Sequence, residues 1–232
     1  MKSVNALIWL LKAALWILLA MLGSACSKDS GDDRSKLYGK WTDPEDGTVY
    51  RTLQLGDQIW LADNLNRGVM IYGVEDQQDN GVIEKYCYDN NPVLCEKYGG
   101  LYQWDEAMQY STQVSSQGIC PEGWHIPSDS EWKILEVFLG MSGEDANERL
   151  WRGIDQGVLI QPLGETGFEA LMGGNRFLAG SFSQIGSTGY FWTSTGTEGR
   201  HAWRRGVNIN EEGIYRSENH RSFGFSVRCI RY

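Results

Sequence analysis

The sequence predicts an α+β domain of irregular fold, with few helices, short antiparallel strands and long Gly-rich loops. Three observations predict it. Ser128-Asp129-Ser130-Glu131 opens the clearest helix. Tyr190 to Ser194, His201 to Ile209, Ile214 to Ser217 and Phe223 to Ile230 read as strands. Gly164 to Gly189 carries seven glycines, a composition that winds over a surface rather than running as regular elements.

The elements follow in chain order. Thr48 to Leu55 and Gln58 to Leu61 are β-rich and flank Gly56-Asp57, a two-residue link that signals a hairpin with a type II′ turn. Gly73 to Lys85 is polar and reads as a surface loop. Tyr86 to Cys95 encloses the turn Asp89-Asn90-Asn91-Pro92. Trp104 to Tyr110 fits a short helix.

Ser128 and Glu131 have capping-box spacing behind Pro127, so each satisfies the other's free backbone N–H. Trp132, Leu135, Phe138 and Leu139 then recur at helical spacing, and Gly140 is the stop. Glu144 to Trp151 is expected as a second, shorter helix. In the last strand Phe223, Phe225, Val227 and Cys229 alternate with Gly224, Ser226 and Arg228, which predicts one buried face. Glu211-Glu212-Gly213 reads as a solvated hairpin turn.

The first 25 residues read as a secretory signal. Lys2 and Lys12 are their only charges, Ala13 to Leu22 is apolar, and Gly23, Ser24 and Ala25 are small. Leu22-Gly-Ser-Ala-Cys26 resembles a bacterial lipobox, with Leu22 four residues before the cysteine, so Cys26 is the expected lipidation site. Residues 26–40 then form a polar tether. Its acidic start resembles the surface-export signals of Bacteroidetes-type lipoproteins, which implies the outer membrane. The globular domain is expected over residues 41–232.

The chain has 21 basic and 30 acidic residues; without Lys2 and Lys12, 19 basic residues remain, a net charge of −11. That balance argues against nucleic acid or an anionic membrane surface as partner. Besides Cys26 there are four cysteines, an even number in an exported chain. Three pairings are possible. Cys87–Cys95, a local clasp, with Cys120–Cys229, a long-range staple, is the favoured set. Zinc is the rival, but Cys-x-x-Cys and paired histidines are missing.

The ordered motifs resemble one family. They are Gln58-Ile-Trp-Leu-Ala-Asp-Asn-Leu65, Tyr86-Cys-Tyr88, Cys95-Glu-Lys-Tyr-Gly-Gly-Leu-Tyr-Gln-Trp104, Ile119-Cys-Pro-Glu-Gly-Trp-His-Ile-Pro-Ser-Asp-Ser-Glu-Trp132, Gly189-Tyr-Phe-Trp-Thr-Ser194 and Gly224-Phe-Ser-Val-Arg-Cys229. Together they resemble the Fibrobacter succinogenes major paralogous domain, from Trp41 to Tyr232. The resemblance implies an exported bacterial protein, often a lipoprotein. More distantly, Cys120-Pro-Glu-Gly-Trp124 is similar to the opening of C-type lectin domains. His125 to Trp132 and Gly224 to Arg228 are similar to formylglycine-generating-enzyme-like domains. These imply a C-type-lectin-like fold, and fold alone does not fix function.

Catalytic chemistry finds little purchase. Copper-binding by formylglycine-generating enzymes uses a pair of cysteines near the C-terminus, where this chain has Cys229 alone. His125, His201 and His220 lack metal spacing. Asp105/Glu106, Asp129/Glu131 and Glu211/Glu212 are carboxylate pairs by proximity only. Asp76 to Asn80 and Asp89 to Asn91 are polar loops without an EF-hand pattern. No cofactor or metal is expected.

Aromatic residues are the best functional pointer. Trp60, Trp124, Trp132 and Trp192 read as core. Trp151 and Trp203 lie beside arginines, and flat rings rimmed by polar groups suit sugars or peptides. The candidate ligand contacts are Trp203, Arg204 and Asn175, with core packing as the competing role. The resulting expectation is a non-catalytic recognition or display module that meets the membrane through its lipid and binds a glycan or a protein. The alternative is an enzyme acting on envelope components or polysaccharide.

Overall fold

Gly56 takes φ +59° while Asp57 keeps a negative φ, which is the backbone a type II′ link requires. It joins β2 (Val49–Leu55) to β3 (Gln58–Leu61) in a computed structural model that describes residues 34–231. The signal segment, Cys26 and the first part of the tether lie outside the described residues. Residues expected in the last part of the tether instead form a 3-10 turn, Arg34–Leu37, and open β1 (Gly39–Thr42). With β12 (Ile230–Arg231), these strands make a four-stranded sheet in the order β1-β2-β3-β12.

The chain then crosses β4 (Val69–Ile71) and β5 (Glu84–Tyr86), which pair in parallel. Helix α1 (Pro92–Tyr98) follows the Cys87 turn. Pro92 at its first position and the Asn91 side chain, which accepts from Val93 N at 3.1 Å, start it. The turn expected at Asp89 to Pro92 is present as a 3-10 turn, Tyr88–Asn90, and the helix after it was not expected. Helix α2 (Trp104–Ala107) is one turn long.

Helix α3 (Asp129–Phe138) has the full capping box. Ser128 Oγ accepts from Glu131 N at 3.2 Å, and Glu131 Oε2 accepts from Ser128 N at 2.6 Å. Trp132 and Leu135 are buried as expected. Phe138 is not: it is 54% exposed, while Asp129 and Glu136 take the inward positions. Two arginine-binding acids thus displace part of the apolar stripe.

The expected helix over Glu144 to Trp151 is replaced by a 3-10 turn, Asp145–Asn147, and β6 (Leu150–Arg152). Helix α4 (Gln156–Ile160) comes next. A second sheet has six strands in the order β6-β11-β10-β9-β7-β8. Its members are β7 (Gly173–Arg176), β8 (Phe182–Ile185), β9 (Thr188–Gly196), β10 (His201–Asn208) and β11 (Ile214–His220). Glu211-Glu212-Gly213 lies in the β10–β11 hairpin link.

The Gly-rich span therefore departs from expectation. It supplies two strands, and all of β7 is buried. Gly174 explains why glycine is needed there: φ is +67°, and a Cβ would stand 2.4 Å from the Ser183 carbonyl oxygen. Composition signals irregularity, but small residues also let two strands approach closely.

Two cores result. The first gathers Tyr102, Trp104, Trp124, Trp192 and Phe225 around the Cys120–Cys229 bridge; the second gathers Trp60, Trp132, Phe168, Phe191 and Ile230. The segment expected as the cleanest strand runs between them, but it makes only isolated bridges at Gly224, Phe225 and Ser226 before β12 begins at Ile230. From Gly224 to Ile230 it is buried throughout, not on one face. Phe225, Val227 and Cys229 join the first core. Arg228 turns toward Phe168 and is capped by Asn64 Oδ1 and by the Phe168 and Glu169 carbonyls. Its alternation thus serves two cores rather than a core and solvent.

Both favoured disulfides are present, Cys87–Cys95 and Cys120–Cys229, which removes the zinc alternative for these cysteines. The result is a mixed α+β domain of irregular fold. Among the described residues no helix is long and apolar enough to cross a membrane.

Candidate functional site

Alternation along β10 sorts its side chains onto two faces of the large sheet. Trp203 and Arg205 point to the side of α3. Arg204, Gly206 and Asn208 point to the other. The α3 side is closed by the second core and by ion pairs from Arg205 to Asp129 at 2.7 Å and to Glu136 at 2.6 Å. The opposite side is covered only in part, by the Phe223 to Val227 segment. What remains open is a groove.

Arg204 is its centre. The guanidinium lies 4.6 Å from the Tyr190 ring centroid, 4.7 Å from that of Tyr215 and 5.7 Å from that of Phe225. Its Nε donates to Asn219 Oδ1 at 2.9 Å. Burial pulls the Arg204 pKa down to about 10, only partly offset by the two tyrosines. Burial likewise pushes the Tyr190 hydroxyl above its ordinary range.

A hollow opens on either side of this arginine. One, of about 220 Å³, runs toward Trp151, Tyr215 and Asn208. The other, of about 280 Å³, runs toward Asn175, Phe177 and Phe223. Gln184, Tyr190 and Arg204 line both. Trp151 meets Tyr215 edge-on at 5.0 Å, and Tyr190 stacks on Phe225 at 5.1 Å. Neither hollow is lined by a carboxylate.

Arg204 and Asn175 therefore come together at the second hollow. Trp203 does not join them. It sits on the α3 side, with the Arg216 guanidinium 3.6 Å from its ring centroid and that of Arg149 at 4.8 Å. The strand period alone separates adjacent residues onto opposite faces, so Trp203 and Arg204 cannot line one groove. The same period would have selected Tyr190 and Tyr215, because both pair with Gly206 across the ladder. Gln184 had no such signal, since β8 was hidden in the Gly-rich span. The span reaches the groove: β7 and β8 lie beside β9 and supply Asn175 and Gln184.

Asp129/Glu131 and Asp105/Glu106 are engaged elsewhere, whereas Glu211/Glu212 line a separate hollow beside Trp151. Asp129 binds Arg205, Arg216 and Lys133. Glu131 caps α3 and meets His125 Nε2 at 2.7 Å. Glu106 accepts from Glu84 N and from the Tyr110 hydroxyl, both at 2.8 Å, and burial raises its pKa. His201 and His220 face each other across β10 and β11 with rings 5.5 Å apart. Among the described residues no group of three or more His, Cys, Asp or Glu is placed to hold a metal ion.

No curated protein and no solved structure matches the chain. A family model does, over residues 53–231, from the middle of β2 through β12. That range takes in the whole six-stranded sheet, both disulfides and every groove residue, and the chain belongs to the Fibrobacter succinogenes major domain family.

Proposed function

We propose that this chain is a lipid-anchored, surface-exposed recognition module of the outer membrane, and that it binds glycans in the groove around Arg204. The observation that carries the reading is the lining of the two hollows. Tyr190, Tyr215, Trp151 and Phe223 offer aromatic faces, and Asn175, Gln184, Asn208 and Asn219 offer amides. Sugar rings stack their C–H faces on aromatics, and their hydroxyls exchange hydrogen bonds with amides, which both donate and accept. Two small adjoining hollows suit consecutive units of a chain ligand better than one enclosed substrate.

A hydrolase needs two carboxylates flanking the bond it cleaves. Neither hollow has one, which favours binding over catalysis. The anchor rests on the apolar leader, the small residues before Cys26 and the polar segment after it. The lectin-like reading of the fold rests on the Cys120 to Trp132 motifs and accords with ligand binding at loops and strands of one face.

The binding test is a glycan screen on the full-length protein in detergent, followed by Trp151→Ala. Trp151 is 40% exposed, so the variant keeps its melting temperature. Affinity for the selected glycan falls about tenfold or more. Full affinity in the variant removes the groove as the site. For the anchor, Cys26→Ala moves the protein out of the membrane fraction or leaves it unprocessed; normal processing with unchanged membrane retention overturns lipidation there.

A further inference from the structure

Among the described residues the arginines drawn into the cores have answering groups, and Arg204 in the groove has few. Arg205 and Arg216 share Asp129, and Arg152 takes both oxygens of Glu136 at 2.7 and 2.8 Å. Arg176 is held by the Gly73, Ser222 and Glu75 carbonyls, and Arg228 by Asn64 and two carbonyls. Arg204 has no carboxylate partner among the described residues. One hydrogen bond, to Asn219, is its share, and Nη1 is buried with no acceptor.

A guanidinium carries five N–H donors and keeps its charge near neutral pH. Holding one among rings with Nη1 unanswered costs stability, since desolvation is only partly returned by the ring faces. The cost is compensated when an anion arrives. The position is suited to that, because Arg204 lines both hollows and stands where two adjoining ligand units would meet. The protein as a whole is acidic, so it offers polyanions no general attraction. Selectivity for an anion therefore has to be local.

We infer that the groove selects an acidic glycan, with Arg204 donating to the carboxylate of a uronic acid unit whose ring stacks on the Tyr190–Tyr215 side. The inference rests on the glycan-binding reading and narrows its ligand class. A sugar acid is favoured over an acidic peptide because flat rings and amides flank the arginine on both sides. Gly206 supports the placement. A Cβ there would lie 2.8 Å from Arg204 Nη1, so the glycine makes room for the guanidinium.

The experiment uses the full-length protein with two acidic probes, their neutral counterparts and polyglutamate as a peptide control. The acidic probes are a galacturonate oligomer and a glucuronate-bearing oligomer, and the neutral ones are the carboxyl-reduced form of each. At least one acid form binds about tenfold or more tightly than its reduced counterpart. Arg204→Met abolishes that preference, with the reduced form's affinity kept and folding confirmed by thermal melting. Gly206→Ala, which shifts the guanidinium without removing charge, weakens the acid form selectively. Equal affinities for acid and reduced forms overturn the inference and leave the glycan face standing. An acid preference that survives Arg204→Met also overturns it. Binding of polyglutamate as tight as that of the acid sugars transfers the site to a protein ligand. Binding of no sugar form, together with an empty glycan screen, ends the glycan reading itself.

Discussion

Arg205 Nε and Glu136 Oε1 meet at 2.6 Å with neither side chain exposed to solvent. Glu136 also holds Arg152 by both oxygens, and Asp129, two turns earlier on α3, holds Arg205 and Arg216. The network therefore pins α3 to β10, β11 and β6. Charges so deeply buried stabilise only while every partner stays in place. Glu136→Gln leaves Arg205 and Arg152 short of a counter-charge. Chemical denaturation is expected to show a loss of about 3–5 kcal/mol. A loss comparable to a surface substitution would contradict the assignment.

Arg204, the next residue along β10, should behave in the opposite way. Its guanidinium is answered by rings and one amide, not by an acid. Replacing it by methionine keeps the volume and removes a desolvated charge. The expected outcome for Arg204→Met is a melting temperature equal to or above that of the parent, and for Arg205→Met a marked fall. A melting temperature that falls as far at Arg204 would make that residue a structural one, with no reserve for a ligand.

Acid sensitivity follows from the start of α3. Burial alone would raise the carboxyls of Asp129 and Glu131, but arginines overcome it at Asp129, and His125 and Ser128 overcome it at Glu131. Both end below their ordinary values of 3.8 and 4.5, Glu131 at about 2. A lowered carboxyl contributes in full above its unfolded pKa and loses that contribution as pH falls through the folded one. Glu106, raised by burial, works in the opposite direction, and alone against two. Stability is expected to be level down to about pH 5 and to fall steeply below about pH 4. Glu131→Gln should start lower and descend less steeply over the same range. A parallel curve would remove Glu131 from the account.

The capped helix and the hairpins were legible because each is written locally: Ser128 with Glu131, Gly56 before Asp57, Glu211-Glu212-Gly213 between two β-rich runs. The Phe223 to Ile230 segment misleads for a physical reason. An extended segment threaded between two cores alternates as a half-exposed strand does when its second face carries Gly224, Ser226 and a carbonyl-capped Arg228. At the groove, Arg204 and Asn175 were identified, but Trp203 was joined to them against the two-residue period of β10. Tyr215 follows from the same period once the hairpin at Glu211-Glu212-Gly213 is read, whereas Gln184 is beyond reach, since its place depends on which strands pair and a sequence does not state strand order.

The two disulfides differ in what they constrain. Cys87–Cys95 closes a span of 8 residues beside α1, and Cys120–Cys229 closes one of 109, tying the segment before α3 to the one between the cores. In the chain-entropy account the longer loop stabilises by about 4.8 kcal/mol and the shorter by about 2.5 kcal/mol, through the unfolded chain alone. Native packing widens the gap. Cys120 and Cys229 are fully buried within the first core, among Trp124 and Val227, so serine at either position also places a hydroxyl in apolar surroundings. Cys87 and Cys95 are also buried, but they lie at a turn and in the middle of a short helix, outside both cores. The double variants Cys87→Ser/Cys95→Ser and Cys120→Ser/Cys229→Ser, compared by denaturant unfolding, should therefore rank with the first folded and moderately weakened and the second severely destabilised. If the two lose the same amount, the long-range bridge adds nothing beyond a local clasp. The first core would then be held by its tryptophans, and Trp124→Ala would exceed Cys120→Ser in cost.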